Sequence, residues 1–239
     1  MLADFATPRS QMRVQLALAG ALVFATGWTV GVSKFSQVLM TSAGGKFETA
    51  SEQRAESFLI TFGLAKAVGN LLVGAAADAH GRRVCMVAGW LAAAAMAALV
   101  MAASSWSLVV MADALLGLQQ AFCWSTAIFV AVDLLGPARR GIAVGLIETL
   151  GYSAVASSGP FVSALGSEAG GGVWRLYASL LGLALVCAAV SAGCLRESRE
   201  LARREEAAAG GAPSTAARAA APTAEEGERA ASATAASAA

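Results

Sequence analysis

The sequence predicts an all-α membrane protein of six spanning helices followed by a largely disordered, Ala-rich tail. Three observations carry the prediction. Only 14% of the residues are charged, where a soluble globular chain has about a quarter. Six apolar stretches lie between residues 14 and 195, each near the roughly twenty residues that cross a bilayer as a helix. The arginines between those stretches crowd every second connection, as cytoplasmic loops do. The expected organisation is a cytoplasmic N-terminal segment over 1–13, a six-helix bundle over 14–195, and a cytoplasmic tail over 196–239.

The first helix is expected over 14–33, which holds no charge. It is longer than a secretory signal core, and the chain keeps inserting after it, so it is read as retained. The second, over 57–77, holds one charge, Lys66. The charge-free run from 84 to 112 is too long for one span, and "SSWS" at 104–107 breaks it. Helices are therefore expected near 84–103 and 107–132, the latter containing Asp113. The fifth, over 141–165, holds only Glu148; the sixth, over 176–195, holds no charge. Transmembrane β-strands would be shorter and alternating. The "AAAAMAALVMAA" run and 25 glycines suit close helix packing in lipid instead.

With six helices, Arg9 and Arg13, Arg82 and Arg83, Arg139 and Arg140, and Arg196 to Arg204 fall on one side. Lys34, Lys46, Arg54 and Arg175 fall on the other, diluted by Glu48, Glu52, Glu56 and Glu168. Both termini are therefore expected in the cytoplasm. Beyond residue 206 the tail has almost no large apolar side chain to bury, which favours disorder.

Chemistry is sparse. Cys85, Cys123, Cys187 and Cys194 have no metal-ligand or disulfide spacing and read as small core residues. No phosphate-binding G-x-x-x-x-G-K-[ST] loop and no nucleophile–base set occur. No basic face argues for nucleic acid. The chain is read as a non-enzyme without cofactor or metal, whose partner is the lipid bilayer.

One connection is not explained by topology alone. "GAAADAHGRR" at 74–83 joins the second and third helices. The positive-inside tendency accounts for Arg82 and Arg83, but not for Asp78 or the glycines at fixed offsets. Gly74 is suited to a close helix approach, Gly81 to a tight reversal, and Asp78 to an ion pair with Arg82. This spacing resembles the signature loop of the major facilitator superfamily, with Ala79 where the family has arginine. A longer stretch, "QAFCWSTAIFVAVDLLGPARRGIAVGLIETLGY" at 120–152, is similar to a subgroup of the same family, with Ala121 and Ile147 departing from its pattern. The resemblance implies that the bundle is one half of the family's twelve-helix fold. It implies that Gly74, Asp78, Gly81, Arg82 and Arg83 form a cytoplasmic gating latch, with Asp133 as a partner for Arg82. It also places an inverted charge, Asp113, where the family carries an arginine linked to proton coupling.

Lys66, Asp113 and Glu148 lie inside expected spans. Each costs about 2.5–3.5 kcal/mol at a bilayer centre on insertion scales. They are read either as pairs that tie helices together or as the lining of a polar substrate cavity. Gln119, Gln120, Trp124 and Tyr152 are further candidates for that lining. The expected function is transport of a small solute by alternating access, with the site at the midplane between two bundles. One six-helix set leaves three arrangements open: a truncated chain, a half that pairs with a copy of itself or a separate half, or a membrane interaction protein that no longer transports.

Overall fold

Long apolar segments in lipid satisfy their backbone groups by winding into helices. The computed structural model describes residues 8–166 and 172–208. In it α1 spans Pro8–Thr41, α2 Glu52–His80, α3 Arg82–Met101, α4 Trp106–Leu135, α5 Arg140–Gly166 and α6 Gly172–Cys194. A 3-10 turn at Pro137–Arg139 precedes α5, and a further helix, α7, covers Ser198–Ala208. No strand occurs among the described residues. The six expected stretches are all helical. Five of them, α1 to α4 and α6, are long and apolar enough to cross a membrane. The remaining one, α5, carries Glu148, Thr149, Tyr152, Ser153, Ser157 and Ser158.

Several helix ends differ from expectation, and two of the differences are instructive. The first helix runs eight residues past Ser33, because Lys34 is not a loop residue: its ammonium is neutralised inside the bundle by Asp113. At the other end, the chain breaks after Cys194 before α7 begins, so the charged "RESRE" stretch does not simply prolong the sixth helix. The chain divides into two units between Ala202 and Arg203. Glu197, Ser198 and Arg199, just past the expected boundary at 196, are bonded to the bundle. The expectation of a disordered tail falls on residues past 208, outside the described residues.

Helix α4 is the hub, packed on α1, α2, α3 and α5, while α1 packs on α5 and α3 on α6. One apolar cluster, with Trp90, Cys123, Ala127, Ile147 and Ala184, fills the half of the bundle nearest the 74–83 loop. A second, with Met96, Trp106, Leu116, Leu176 and Tyr177, fills the opposite half. Lipid offers no hydrophobic drive between helices, so small residues set how near they come. A Cβ at Gly117 would run into the α2 backbone at Phe62 and Lys66. A Cβ at Gly27 of α1 would strike the Gly151 carbonyl of α5. Gly74 meets no helix among the described residues: a Cβ there would find nothing within 4 Å. The approach of α2 to α4 is made by Gly69 and Gly117.

Candidate functional site

Two sets of polar side chains stand out, one at an end of the bundle and one at mid-height. The first grows from the turn between α2 and α3. Gly81 closes α2 and opens α3 at φ +90°, a backbone that glycine adopts without the steric penalty of a side chain. The reversal brings Arg82, first residue of α3, back over the last turn of α2. Its guanidinium Nη1 donates to Asp78 Oδ1 at 3.0 Å, and its Nε donates to Asp133 Oδ2 at 3.3 Å. The Phe129 ring lies beneath it, 5.0 Å from the centroid. The Arg82 side chain is only 6% exposed, so a planar fork serving two acids is what this position requires.

The segment after α6 completes the cluster. Glu197 accepts the backbone N–H of Arg82 at 3.0 Å and of Arg83 at 3.1 Å. A carboxylate is favoured there because the first N–H groups of α3 are unpaired and carry the positive end of the helix dipole. Ser198 Oγ donates to Asp133 Oδ2 at 2.6 Å, and Arg199 Nη2 donates to Asp78 Oδ1 at 2.6 Å. Arg82 thus ties α2, α3 and α4, and residues 197–199 tie the α6–α7 connection onto them. Exposed pairs such as Arg199–Asp78 contribute about 1 kcal/mol or less. The buried Arg82–Asp133 contact is the one whose loss leaves a charge stranded. The side chain of Arg83 points to solvent.

The second set lies across α2, α4 and α5. Lys66 is the middle residue of α2 and is half-buried. It makes no direct ion pair with Glu148 of α5 among the described residues. Glu148 Oε1 accepts the indole N–H of Trp124 at 3.0 Å. The Trp124 ring meets Tyr152 edge-on, with centroids 5.1 Å apart. Gly151 makes room for it, since a Cβ there would press into the indole. Asn70 Oδ1 accepts from Ser125 Oγ at 3.2 Å on the same side of α2 and α4. Tyr152 is 59% exposed, and Thr149, Ser153 and Ser157 of α5 are exposed beside it. The result is a polar wall halfway along the bundle.

Asp113 and Gln120 are not on that wall. Asp113 is fully buried near the other end of α4, accepting from Lys34 Nζ at 3.3 Å and Gln37 Nε2 at 3.0 Å. The Lys34 ammonium is enclosed by the Phe58 and Phe62 rings, 4.5 and 4.0 Å from their centroids. Gln120 is 5% exposed and Gln119 is fully enclosed; the Gln119 amide and Gln120 Oε1 find no partner among the described residues. The sequence reading grouped Asp113 with Lys66 and Glu148 because all three are charges within spans. Its partner is Lys34, which hydropathy alone places in a loop.

Glu197, Ser198 and Arg199 were not singled out from the sequence. The signal was present: acids and arginines alternate at the exit of the sixth helix, on the side where the 74–83 loop emerges.

Comparison with known families gives one match. The sequence model described as Major Facilitator Superfamily matches residues 16–234. No curated protein sequence matches the chain. The match spans nearly the whole chain, and five helices among the described residues are long and apolar enough to span a bilayer. The chain therefore belongs to the Major Facilitator Superfamily and is a multi-pass membrane transporter of that type.

Proposed function

We propose that this chain supplies one six-helix bundle of a transporter that moves a small polar solute by alternating access. The wall formed by Lys66, Asn70, Trp124, Glu148 and Tyr152 lines the solute path at the midplane. The cluster of Asp78, Arg82, Arg83, Asp133 and Glu197, on the cytoplasmic side, holds that side closed and opens when the Arg82 contacts break. A second six-helix bundle covers the wall. Transport is driven by a solute or ion gradient, or is facilitative. The observation that carries the reading is the double engagement of Arg82. One buried guanidinium bridges three helices through two carboxylates, and such a network can exist in a made and a broken state.

Metabolite exchange tests this directly. Proteoliposomes holding the full chain are incubated with a mixed small-metabolite extract, and the contents are read by mass spectrometry. The expected result is time-dependent accumulation of at least one small polar solute. Accumulation should be absent in empty vesicles and lost in the Lys66→Met, Glu148→Gln double variant. Uptake indistinguishable from empty vesicles would refute transport and favour a membrane interaction protein that keeps the fold.

A further inference from the structure

Charges inside this bundle are treated in two contrasting ways. Lys34 and Asp113 are a finished pair: 3.3 Å apart, with Gln37 as a further donor and two aromatic rings around the ammonium. Lys66 and Glu148 are unfinished. Lys66 lies one helical turn from Asn70, which is bonded to Ser125, and the adjacent Trp124 is bonded to Glu148, yet neither charge has an ion-pair partner among the described residues. Trp124 fixes Glu148 through Oε1 alone, and its Oε2 has no protein partner among the described residues. Both side chains are partly open to the wall. A pair meant only to tie α2 to α5 would have been closed like Lys34–Asp113, because an uncompensated charge in a spanning segment is costly.

We propose that Lys66 and Glu148 receive the two ends of a small zwitterion, an amino acid or an amino-acid-like solute. Its carboxylate lies on the Lys66 ammonium. Its ammonium lies between Glu148 Oε2 and the exposed Tyr152 ring, which offers a cation–π surface. The Asn70–Ser125 hydrogen bond supplies neutral polar contacts beside Lys66. This assignment rests on the transport reading above and names the solute class for that wall. Exclusion supports it as much as attraction. An uncharged solute would displace water from two charges and compensate neither. A simple anion would satisfy Lys66 and be repelled by Glu148, and a simple cation the reverse. Only a ligand carrying both signs meets both groups, and discrimination of this kind comes from the charge left unmet by the wrong ligand.

The separation of the two charges makes the idea measurable. The full chain in nanodiscs is titrated with glycine, β-alanine, 4-aminobutyrate and 6-aminohexanoate, whose charges stand progressively further apart. Butyrate and butylamine serve as single-charge controls. Binding is read as a saturable rise in thermal midpoint. One chain length is expected to stabilise best, with both controls about ten- to a hundredfold weaker, the loss of one charge-assisted contact. Lys66→Met and Glu148→Gln should each flatten the length preference. If either variant does not fold, the wild-type comparison of chain lengths with controls decides alone. Equal stabilisation by butyrate or butylamine, or by none of the six compounds, would overturn the proposal. Metabolite exchange separates the two levels of the argument. Uptake of an uncharged or singly charged solute with no zwitterion binding removes this inference and leaves transport standing.

Discussion

Replacing Lys34 by methionine should destabilise the bundle more than any other single charge removal in its spans. Asp113 is fully buried, its Oδ1 receives Lys34 and Gln37, and its Oδ2 has no partner among the described residues. In Lys34→Met the carboxylate keeps only Gln37. Stranding one member of a buried pair typically costs about 3–5 kcal/mol. The methionine restores some contact with Phe58 and Phe62, because a thioether packs well against rings. The double variant Lys34→Met, Asp113→Leu removes both charges and keeps the volume, and should return to within about 1 kcal/mol of the wild type. Lys66→Met should behave differently. It removes a charge that has no ion-pair partner among the described residues, so its cost should stay below about 1 kcal/mol. Denaturant unfolding in mixed micelles, followed by tryptophan fluorescence, measures all three. The reasoning is refuted if Lys34→Met unfolds with Lys66→Met, or if the double variant is no more stable than Lys34→Met.

Other consequences concern the Arg82 cluster and the helix contacts. Arg82→Lys keeps the charge but cannot reach Asp78 and Asp133 from two separate nitrogens; it should loosen the cluster nearly as much as Arg82→Gln, seen as faster amide exchange across 81–85. Gly81→Ala forces a side chain into a φ of +90° beside the Glu197 carboxylate; a loss of about 1–2 kcal/mol is expected from the backbone alone, read by thermal unfolding. Glu197→Gln keeps the acceptor but weakens its hold on the α3 N-terminus by about 0.3–1 kcal/mol; the exchange rates of the Arg82 and Arg83 amides should rise, with little change in global stability. Gly117→Leu cannot be accommodated against Phe62 and Lys66 without moving α2 away from α4, so the monodisperse peak on size exclusion should be lost.

The helices were legible because apolar runs and lipid thickness leave a chain few options. The missed part of α1 shows where that reasoning stops. A lysine ends an apolar run on paper, but whether it ends a helix depends on a carboxylate on α4, 79 residues away. The loop cluster was legible where its members are close in sequence: Asp78, Gly81 and Arg82 lie within one turn of each other. Asp133 was reached only through the family resemblance, and Glu197, Ser198 and Arg199 not at all. Their position depends on how α6 returns to the 74–83 loop, and hydropathy says nothing about that. The use of Gly69 was not legible for a related reason: a glycine's use depends on the helix it faces, and α4 meets α2 there. The polar wall was half legible. Charge within a span picked out Lys66 and Glu148, and only packing could separate them from Asp113.

The central claim is that release of Arg82 opens the cytoplasmic side of the polar wall. Ser153 is exposed on that wall, and a single cysteine there reports its access. In a chain with Cys85, Cys123, Cys187 and Cys194 replaced, Ser153→Cys is labelled with a membrane-impermeant maleimide added from the cytoplasmic face only. The account predicts slow labelling with Arg82 intact and labelling at least several-fold faster with Arg82→Gln. Equal rates in the two backgrounds would contradict it, and would leave the Arg82 cluster as a helix fastening with no part in access.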